Sequence, residues 1–471
     1  MYSIAANPDP HRNSFHAVAD PFVSQSGLPF AKVLSAEDIE AVFRADDALF
    51  GQEDIFSTPI VLWAFLAQVL RDGKGAACSS AVADIATYLQ QTGGTAPCGD
   101  TGDYCRARAK LSLPALRQLT VGAAGQMEEN ADASWLWHGL HAKLIDGFTF
   151  TMADSTANQQ AFPQQESQRP GAGFPIARAC AVVSLATAAV CDLAVGPYQG
   201  KQTGESALLR QILHCLHRGE VAVFDRCLCA FPMLAILLGR GVHFAARLHQ
   251  RRPVDFRRGQ RLGKDDHRVT WTRPTRPDWM IPEVYATIPE TLTLREVRFR
   301  LTAPGRRTRT LVVVTSLTDP VAWPKEAIAE LYGFRWNVEL DIRAIKQTLR
   351  LDHLRCQSPA MIRRELWVTL LAYNLIRKLN ATAAAVHGRQ PRTLSFTVAC
   401  QNVLASWMLL ATGGCRDQAK LFRGMLARIA NAVVGDRPDR VEPRVIKRRR
   451  DHYPLMHQSR DRLRKKCIRF K

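Results

Sequence analysis

Residues 144–152 read LIDGFTFTM, and this short stretch decides the fold class. Apolar and small polar residues alternate along it with the period of two that a half-buried β-strand requires. Upstream, the apolar residues recur with a helical period instead, as in SAEDIEAVFRADDALF (residues 35–50), which opens with a serine cap and an acidic first turn. The chain is therefore predicted to change from helices to strands near Lys143.

Strand and helix patterns alternate after this change. Strands are predicted over residues 179–184, 189–195, 220–224 and 242–248, and helices over 206–217 and 232–238. Upstream, further helices are predicted over residues 59–71, 79–91 and 113–129. Strands interleaved with helices predict an α/β domain with a mixed sheet behind an all-α N-terminal domain.

Residues 250–309 break the alternation. They hold clusters of charge, followed by alternating segments such as ETLTLREVRFRL. The alternation favours a β-rich insertion over a disordered linker. The segment TLVVVTS (residues 310–316) then resumes the core sheet, and helices are expected over 324–349, 361–387 and 394–412.

These patterns predict seven segments along the chain. They are a loosely ordered N-terminal segment (1–35), a helical N-terminal domain for DNA binding (36–142), the first part of the α/β core (143–249), the β-rich insertion (250–309), the second part of the core (310–390), a helical C-terminal region (391–435) and a basic tail (436–471). The tail carries 14 Lys and Arg against 5 Asp and Glu, a net charge of 14 − 5 = +9. Two interpretations of it stay open, an arm along a phosphate backbone and a solvated tail without a partner.

The composition indicates a globular protein with a polyanionic partner. Hydrophobic residues make up 46 %, and 63 Lys and Arg against 43 Asp and Glu give a net charge of +20, which favours nucleic acid over a merely basic soluble protein. No apolar stretch is long enough to span a membrane, and the first residues lack the layout of a signal peptide, so a cytoplasmic protein is expected. The 12 Cys include no C-x-x-C pair, which argues for reduced thiols rather than zinc.

Four polar side chains share one side of the helix predicted over residues 324–349. At about 100° per residue, Tyr332, Arg335, Glu339 and Lys346 lie within a stripe about 60° wide, beside the apolar face. Such a stripe could serve chemistry on a phosphodiester, with a carboxylate for a cation and two bases for phosphate oxygens. It could equally be an ordinary surface helix with an i, i+4 salt bridge. Both interpretations stay open on this helix alone.

Two further carboxylates lie on predicted strands. Asp146 lies inside the first strand, and Asp225 follows the buried strand VAVF. An Asp on an apolar strand is costly unless it is paired or bound to a metal. Together with Glu339, these residues form a three-carboxylate set that suits two Mg²⁺ ions, for which Mn²⁺ can substitute.

The chain resembles the DDE transposases of the bacterial insertion-sequence-four family. The resemblance lies in the order Asp…Asp…Glu, in the spacing Y-x2-R-x3-E-x6-K that begins at Tyr332, and in the blocks DGFTFTM and VFDRCLCAF. It implies a ribonuclease H-like catalytic core and cut-and-paste transposition, in which water nicks each element end and the freed 3′-hydroxyl joins target DNA. It also implies a synaptic homodimer on double-stranded DNA. Arg335 and Lys346 would bind phosphate, and Tyr332 would position the 5′ side.

Several acidic and basic residues near these blocks allow more than one interpretation. Asp154 competes with Asp146 for the role of first carboxylate, and we prefer Asp146 because it lies inside the strand. Asp192 is expected to be a solvated residue of an edge strand. Asp341 is expected to be a surface charge, because it points about 200° away from the helix glutamate. Arg226 could contact DNA or pair with a carboxylate.

Four functions are compatible with such a chain. The first is an active DNA transposase, and the second is a metal-dependent nuclease without strand transfer that uses the same carboxylates. The third is a DNA-binding protein without catalysis, which the complete set of carboxylates argues against. The fourth, an RNA-binding protein, lacks the aromatic sheet motif or glycine loop of such modules.

Overall fold

The computed structural model describes residues 34–51, 54–301, 309–411 and 417–434, together with 458–459, 461–462 and 465. The predictions for the N-terminal segment (1–35) and the basic tail (436–471) fall almost wholly outside these residues. None of the helices in the described part combines the length and the apolar character that crossing a membrane would need.

Five α-helices of the described chain precede the sheet. They are α1 (Ala36–Ala45), α2 (Thr58–Leu70), α3 (Cys78–Gln91), α4 (Gly102–Lys110) and α5 (Leu113–Glu129). Helix α1 begins with the predicted serine cap, since the Ser35 side chain accepts from the Asp38 backbone and the Asp38 side chain accepts in return. Four of the five match predicted helices. Helix α4 was not predicted, because only Tyr104 and Ala107 of its residues are buried and they form no apolar stripe.

Within the residues that the structure describes, ten strands form one mixed sheet. They are β1 (Ala142–Met152), β2 (Ile176–Ser184), β3 (Val190–Pro197), β4 (Val221–Phe224), β5 (His243–Arg247), β6 (Gln260–Gly263), β7 (Asp266–Thr272), β8 (Thr291–Leu301), β9 (Arg309–Thr315) and β10 (His353–Leu354). The order is β3-β2-β1-β4-β5-β9-β8-β7-β6, and β10 pairs with the end of β1. Strands β1, β4 and β5 run parallel, and β2, β3 and β9 are antiparallel to their neighbours. The predicted mixed α/β sheet is confirmed.

Helices cover both faces of the sheet. Between the strands lie α6 (Thr156–Ala161), α7 (Glu205–Gln211), α8 (Phe231–Gly239) and α9 (Pro282–Thr287). All four residues of β4 are fully buried, as an apolar run in the parallel centre of a sheet requires. Helix α7 is shorter than the helix predicted over 206–217, since the chain turns at Ile212 into one 3-10 turn. Strands β6, β7 and β8 continue the core sheet outward from β9.

The prediction of a single helix over residues 324–349 is wrong. The chain forms α10 (Lys325–Gly333), α11 (Trp336–Arg343) and a π-helical turn over Ala344–Thr348. After Gly333 the hydrogen bonds tighten to i−3, since Arg335 N donates to Tyr332 O at 3.1 Å. In the π turn they lengthen to i−5, since Leu349 N donates to Ala344 O at 3.3 Å.

Three helices complete the described chain: α12 (Pro359–Val386), α13 (Phe396–Ala411) and α14 (Gln418–Asn431). Helix α12 is buried along most of its length. One hydrophobic cluster contains Leu62 and Leu116 of the N-terminal helices, Val183 of the sheet, and Val338 and Leu370 of the later helices. The N-terminal helices and the sheet therefore share a core.

Candidate active site

Asp146 and Asp225 lie side by side on neighbouring parallel strands. The β1–β4 register pairs Ile145 with Phe224, so the next residue in each case is an aspartate: Asp146 inside β1 and Asp225 directly after β4. Leu144 and Val223 belong to the same core cluster as α11, and side chains alternate along a strand. Both carboxylates therefore start from the face of the sheet on which α11 packs.

The guanidinium of Arg335 lies between two of the predicted carboxylates. Its Nη2 donates to Glu339 Oε1 at 2.6 Å, and its Nη1 lies 3.5 Å from Asp146 Oδ2. The expected i, i+4 salt bridge therefore exists, but it is not an ordinary surface pair, because only 18 % of the Arg335 side chain is exposed and it also contacts the sheet.

Burial dominates the electrostatics of Asp146. It raises the pKa of Asp146 to about 6, although the charge of Arg335 and the hydrogen bond from Gly147 N, 2.9 Å from Oδ1, act in the opposite direction. Burial lowers the pKa of Arg335, but the hydrogen bond to Glu339 and the charges of Tyr332, Asp146 and Glu339 together outweigh it, so the net shift is upward. Arg335 is therefore a permanent cation in this site.

Asp225 lacks such a cation. It precedes a 3-10 turn but its side chain accepts no capping hydrogen bond. Within the described residues, no hydrogen bond or ion pair reaches its carboxylate. The described part of the chain also holds no group of three His, Cys, Asp or Glu side chains close enough to hold a metal ion. The carboxylates are thus neighbours, but their oxygens do not form a complete set of metal ligands in this arrangement.

Tyr332 is buried beside these residues, with 4 % of its surface exposed. Its ring packs edge-on against Phe299, with ring centroids 6.4 Å apart. Burial raises the pKa of Tyr332 well above its ordinary value, and the charge of Arg335 opposes that rise. The phenol therefore stays protonated at neutral pH and can donate a hydrogen bond.

Lys346 lies apart from the other three residues of the stripe. Its Nζ donates to Thr149 O at 2.9 Å and pairs with Asp352 Oδ1 at 2.8 Å. The π turn that contains Lys346 changes the 100° spacing on which the stripe was calculated. Lys346 contacts β1 three residues beyond Asp146, so it flanks the carboxylates rather than joining them. No local pattern in the sequence identifies Asp352 as the partner of Lys346.

The side chains of Asp154 and Arg226, for which the sequence left two interpretations open, both bind partners other than the three predicted carboxylates. Asp154 lies beyond the end of β1, where its Oδ1 accepts from Gln159 Nε2 at 2.8 Å. The Arg226 side chain donates to Gln250 Oε1 at 2.8 Å and forms no ion pair with a described carboxylate. The structure thus brings together Asp146, Arg335 and Glu339, with Asp225 alongside.

Two expectations about neighbouring aspartates are wrong. Asp192 does lie on the edge strand β3, but it is fully buried, since α5 covers it and Arg117 and His214 pair with it at 2.5 and 3.1 Å. Asp341 is no surface charge either. It is 2 % exposed and pairs with two arginines of later segments, Arg377 at 3.0 Å and Arg392 at 2.8 Å.

Known proteins resemble this chain in sequence. Residues 137–375 match the family profile described as the transposase DDE domain. The transposase InsG for insertion sequence element IS4 of Escherichia coli (strain K12) is 28% identical over 354 residues, which cover 74% of this chain and 77% of that protein.

One solved structure is also similar, though loosely. The cryo-EM structure of the piggyBac transposase synaptic complex with hairpin DNA gives a TM-score of 0.41 at 10% identity, over 91% of this chain and 88% of that one. This likeness is too distant to support an inference about the present chain.

The family match decides between the functions that the sequence left open. It spans β1, β4 and α11, which carry the carboxylates, and it selects the transposase over a nuclease without strand transfer or a DNA-binding protein without catalysis. The protein belongs to the transposase family that this DDE domain defines, enzymes that cleave DNA and transfer strands.

Proposed function

We propose that Asp146, Asp225 and Glu339 are the catalytic carboxylates of this transposase, on a ribonuclease H-like core. The observation that carries the proposal is the β1–β4 register, which makes two aspartates neighbours on the face where α11 presents Glu339. A parallel pair of strands flanked by helices is also the part of the sheet where such a core would lie.

The donor set fits hard divalent cations. Three carboxylates supply only oxygen ligands, which Mg²⁺ and Mn²⁺ prefer, and the unpartnered Asp225 leaves negative charge to be neutralised. We propose two Mg²⁺ ions, replaceable by Mn²⁺, held by Asp146, Asp225 and Glu339. Bound ions of this kind activate the attacking oxygen and stabilise the leaving 3′-oxygen. Arg335 must move off Asp146 or Glu339 to make room.

The reaction is an in-line displacement at phosphorus. In the first step, the oxygen of a water molecule forms a bond to phosphorus, the bond from phosphorus to the 3′-oxygen breaks, and a 3′-hydroxyl is released. In the second step, that 3′-hydroxyl attacks a phosphodiester of another strand and expels its 3′-oxygen. No energy source is needed, because each phosphodiester broken in joining is replaced by one formed.

The bases around the carboxylates are suited to DNA phosphates. Arg335 is charged and forked, so it can donate two hydrogen bonds to one phosphate once it leaves a carboxylate. Lys346 is 25% exposed and flanks the site along β1, and Arg226 follows Asp225 directly. Tyr332 is too buried to stack on a base, so we assign it a hydrogen bond from its hydroxyl on the 5′ side.

The assembly completes the proposal. Joining two element ends to one target needs two active sites, so we propose a homodimer on double-stranded DNA in a synaptic complex. The helical N-terminal domain (36–142) and the basic tail would bind DNA, and the insertion (250–309) would extend the core sheet beside it. Because the substrate is the DNA of a bacterial cell, the enzyme would act in the cytoplasm at the nucleoid.

Cleavage of a labelled duplex carrying the end of the flanking element tests the assignment of carboxylates. With Mg²⁺ or Mn²⁺, we expect nicking at the end by wild type and none with EDTA. Asp146→Asn and Asp225→Asn should each lower the rate by about a thousandfold, a loss of several kcal/mol of transition-state stabilisation.

Asp154→Asn is the matched control, because this residue lies eight positions further along the same segment. It should cleave within about threefold of wild type. A loss of cleavage in Asp154→Asn but not in Asp146→Asn would show that the first carboxylate has been assigned to the wrong residue.

A further inference from the structure

Glu205 lies against the main chain of β1, beside Asp146. It is the first residue of α7, which follows the edge strand β3. A Cβ placed on Gly147 would overlap the Cγ, Cδ and Oε1 atoms of Glu205. Glycine therefore stands at the position after Asp146 because the carboxyl group of Glu205 occupies the space where any other side chain would begin.

The start of α7 is also tied to the segment after Asp225. The hydroxyl of Ser206 donates to Cys227 O at 3.5 Å, and Cys227 lies two residues beyond Asp225. Glu205 is thus fixed between the two strands that carry the aspartates. Its charge acts on Asp146 as a repulsive neighbour.

The carboxylate of Glu205 is half-buried and unpartnered. Among the described residues, none gives it a hydrogen bond or an ion pair. Most buried acids among the described residues have basic partners: Glu220 with Lys143, Asp192 with Arg117, Asp266 with Arg295, Glu296 with His267 and Asp341 with Arg377. The remaining one, Glu365, accepts hydrogen bonds from the backbone of Arg355 and Cys356. An acid held against another acid without a base is costly unless a cation joins them.

We propose that Glu205 is a fourth carboxylate of the active site, which binds a divalent cation together with Asp146. The inference rests on the proposed function, because it needs the metal site there. Glu339 already has Arg335 as its counter-charge, whereas Glu205 and Asp225 have no basic partner among the described residues, so two acids of the site remain for a cation to neutralise. A cation that prefers six oxygen ligands gains one more from this chain.

A purely local role for Glu205 predicts different behaviour. An acidic residue in the first turn of a helix interacts favourably with the helix dipole, and a side chain wedged against a glycine contributes packing. Either role would lower the thermal stability of the metal-free protein when Glu205 is replaced, and neither would change its affinity for a metal.

Binding of Mn²⁺ to the full chain, measured by calorimetry with and without a short DNA duplex, separates these roles. We expect Glu205→Gln to weaken Mn²⁺ binding by at least about tenfold and Glu205→Asp to weaken it less. The matched control is Glu283→Gln, which removes an exposed acid from the first turn of another short helix, α9, and should bind as wild type does. The metal-free melting temperature of Glu205→Gln should equal or exceed that of wild type.

The outcomes separate this inference from the proposed function. Mn²⁺ affinity of Glu205→Gln within twofold of wild type, while Asp146→Asn and Glu339→Gln lose binding, would overturn the fourth carboxylate alone. A lower metal-free melting temperature with unchanged affinity would identify a packing role and overturn it as well. No Mn²⁺ binding by wild type under either condition would overturn the proposed metal site, and this inference with it.

Discussion

At the scale of single residues, the positive charge of Arg335 allows the carboxylates of Asp146 and Glu339 to lie close to each other. Its guanidinium contacts Asp146 and Glu339 and so offsets the repulsion between two carboxylates that β1 and α11 bring together. A cation that enters the site has to compete with this side chain. Arg335 therefore occupies the position between these two carboxylates where a cation would bind. When metal and DNA bind, Arg335 would leave this position and bind a phosphate.

The raised pKa of Asp146 predicts a pH-dependent stability. Its folded pKa of about 6 lies above the ordinary 3.8, so between these values the folded chain binds a proton that the unfolded chain does not. This group therefore makes folding less favourable as the pH rises from about 4 to 6, by on the order of 3 kcal/mol. Asp146→Asn should remove that loss.

Melting temperatures of the metal-free protein check this sign. The gain of Asp146→Asn over wild type should be larger at pH 8 than at pH 4.5, and Asp154→Asn serves as the control without such a trend. A gain that is larger at acidic pH would mean that Arg335 holds Asp146 in its charged form.

The residues differ in how far the sequence could place them. The neighbouring positions of Asp146 and Asp225 could be predicted, because parallel strands bring residues at corresponding strand positions to one edge of the sheet. The burial of Asp192 and Asp341 could not be predicted. Their partners Arg117 and Arg377 lie 75 and 36 residues away in the sequence, and no local pattern reports such pairs.

At the scale of elements, the segment that carries Glu339 departs from a regular helix. Gly333 ends α10, and the π turn over Ala344–Thr348 adds a residue to the last turn. A helical period calculated from sequence assumes 100° per residue throughout, so it placed Arg335 and Glu339 correctly relative to each other and misplaced Lys346. Irregular turns of this kind occur often at functional sites.

The buried ion pairs of Asp341 are predicted to stabilise the packing of α11 against the later helices. Its carboxylate joins α11 to Arg377 of α12 and to Arg392 beyond it. Asp341→Asn should lower the free energy of unfolding by about 3–5 kcal/mol, because two arginines lose their buried counter-charge.

Denaturant unfolding measures this loss. Asp103→Asn is the control, since Asp103 forms an exposed pair with Arg106, and it should change stability by less than about 1 kcal/mol. Equal effects of the two substitutions would contradict the assigned role of Asp341.

At the scale of the whole molecule, one asparagine links the N-terminal helices, the sheet and the long helix α12. The Asn374 amide donates to Thr120 O at 2.9 Å and to Val190 O at 3.0 Å, and it accepts from Val190 N at 2.9 Å. All of these groups are buried. We therefore expect the helices and the sheet to unfold together.

Asn374→Ala tests this coupling. It removes three hydrogen bonds to buried backbone groups and should cost about 2–4 kcal/mol. The single unfolding transition should shift as a whole, whereas Asn402→Ala on α13, a part-buried site, should shift it by less than about 1 kcal/mol. A separate transition of the N-terminal helices, unaffected by Asn374→Ala, would contradict a shared core.

The shared core is a feature that could not be predicted from the sequence. Periodicity identified most helices and strands, because each element's own residues carry the signal. It could not show that α2 and α5 pack in the same hydrophobic cluster as α12, since such packing joins segments more than 200 residues apart.

The central claim is that the carboxylates around Glu339 cut DNA and join it. The most direct measurement is the joining of a labelled element end to a target plasmid in Mg²⁺, with wild type, Glu339→Gln and the exposed neighbour Glu326→Gln as control. We expect cleaved and joined products for wild type and for Glu326→Gln, and neither product for Glu339→Gln or with EDTA. Joined product from Glu339→Gln at the wild-type rate would contradict this claim.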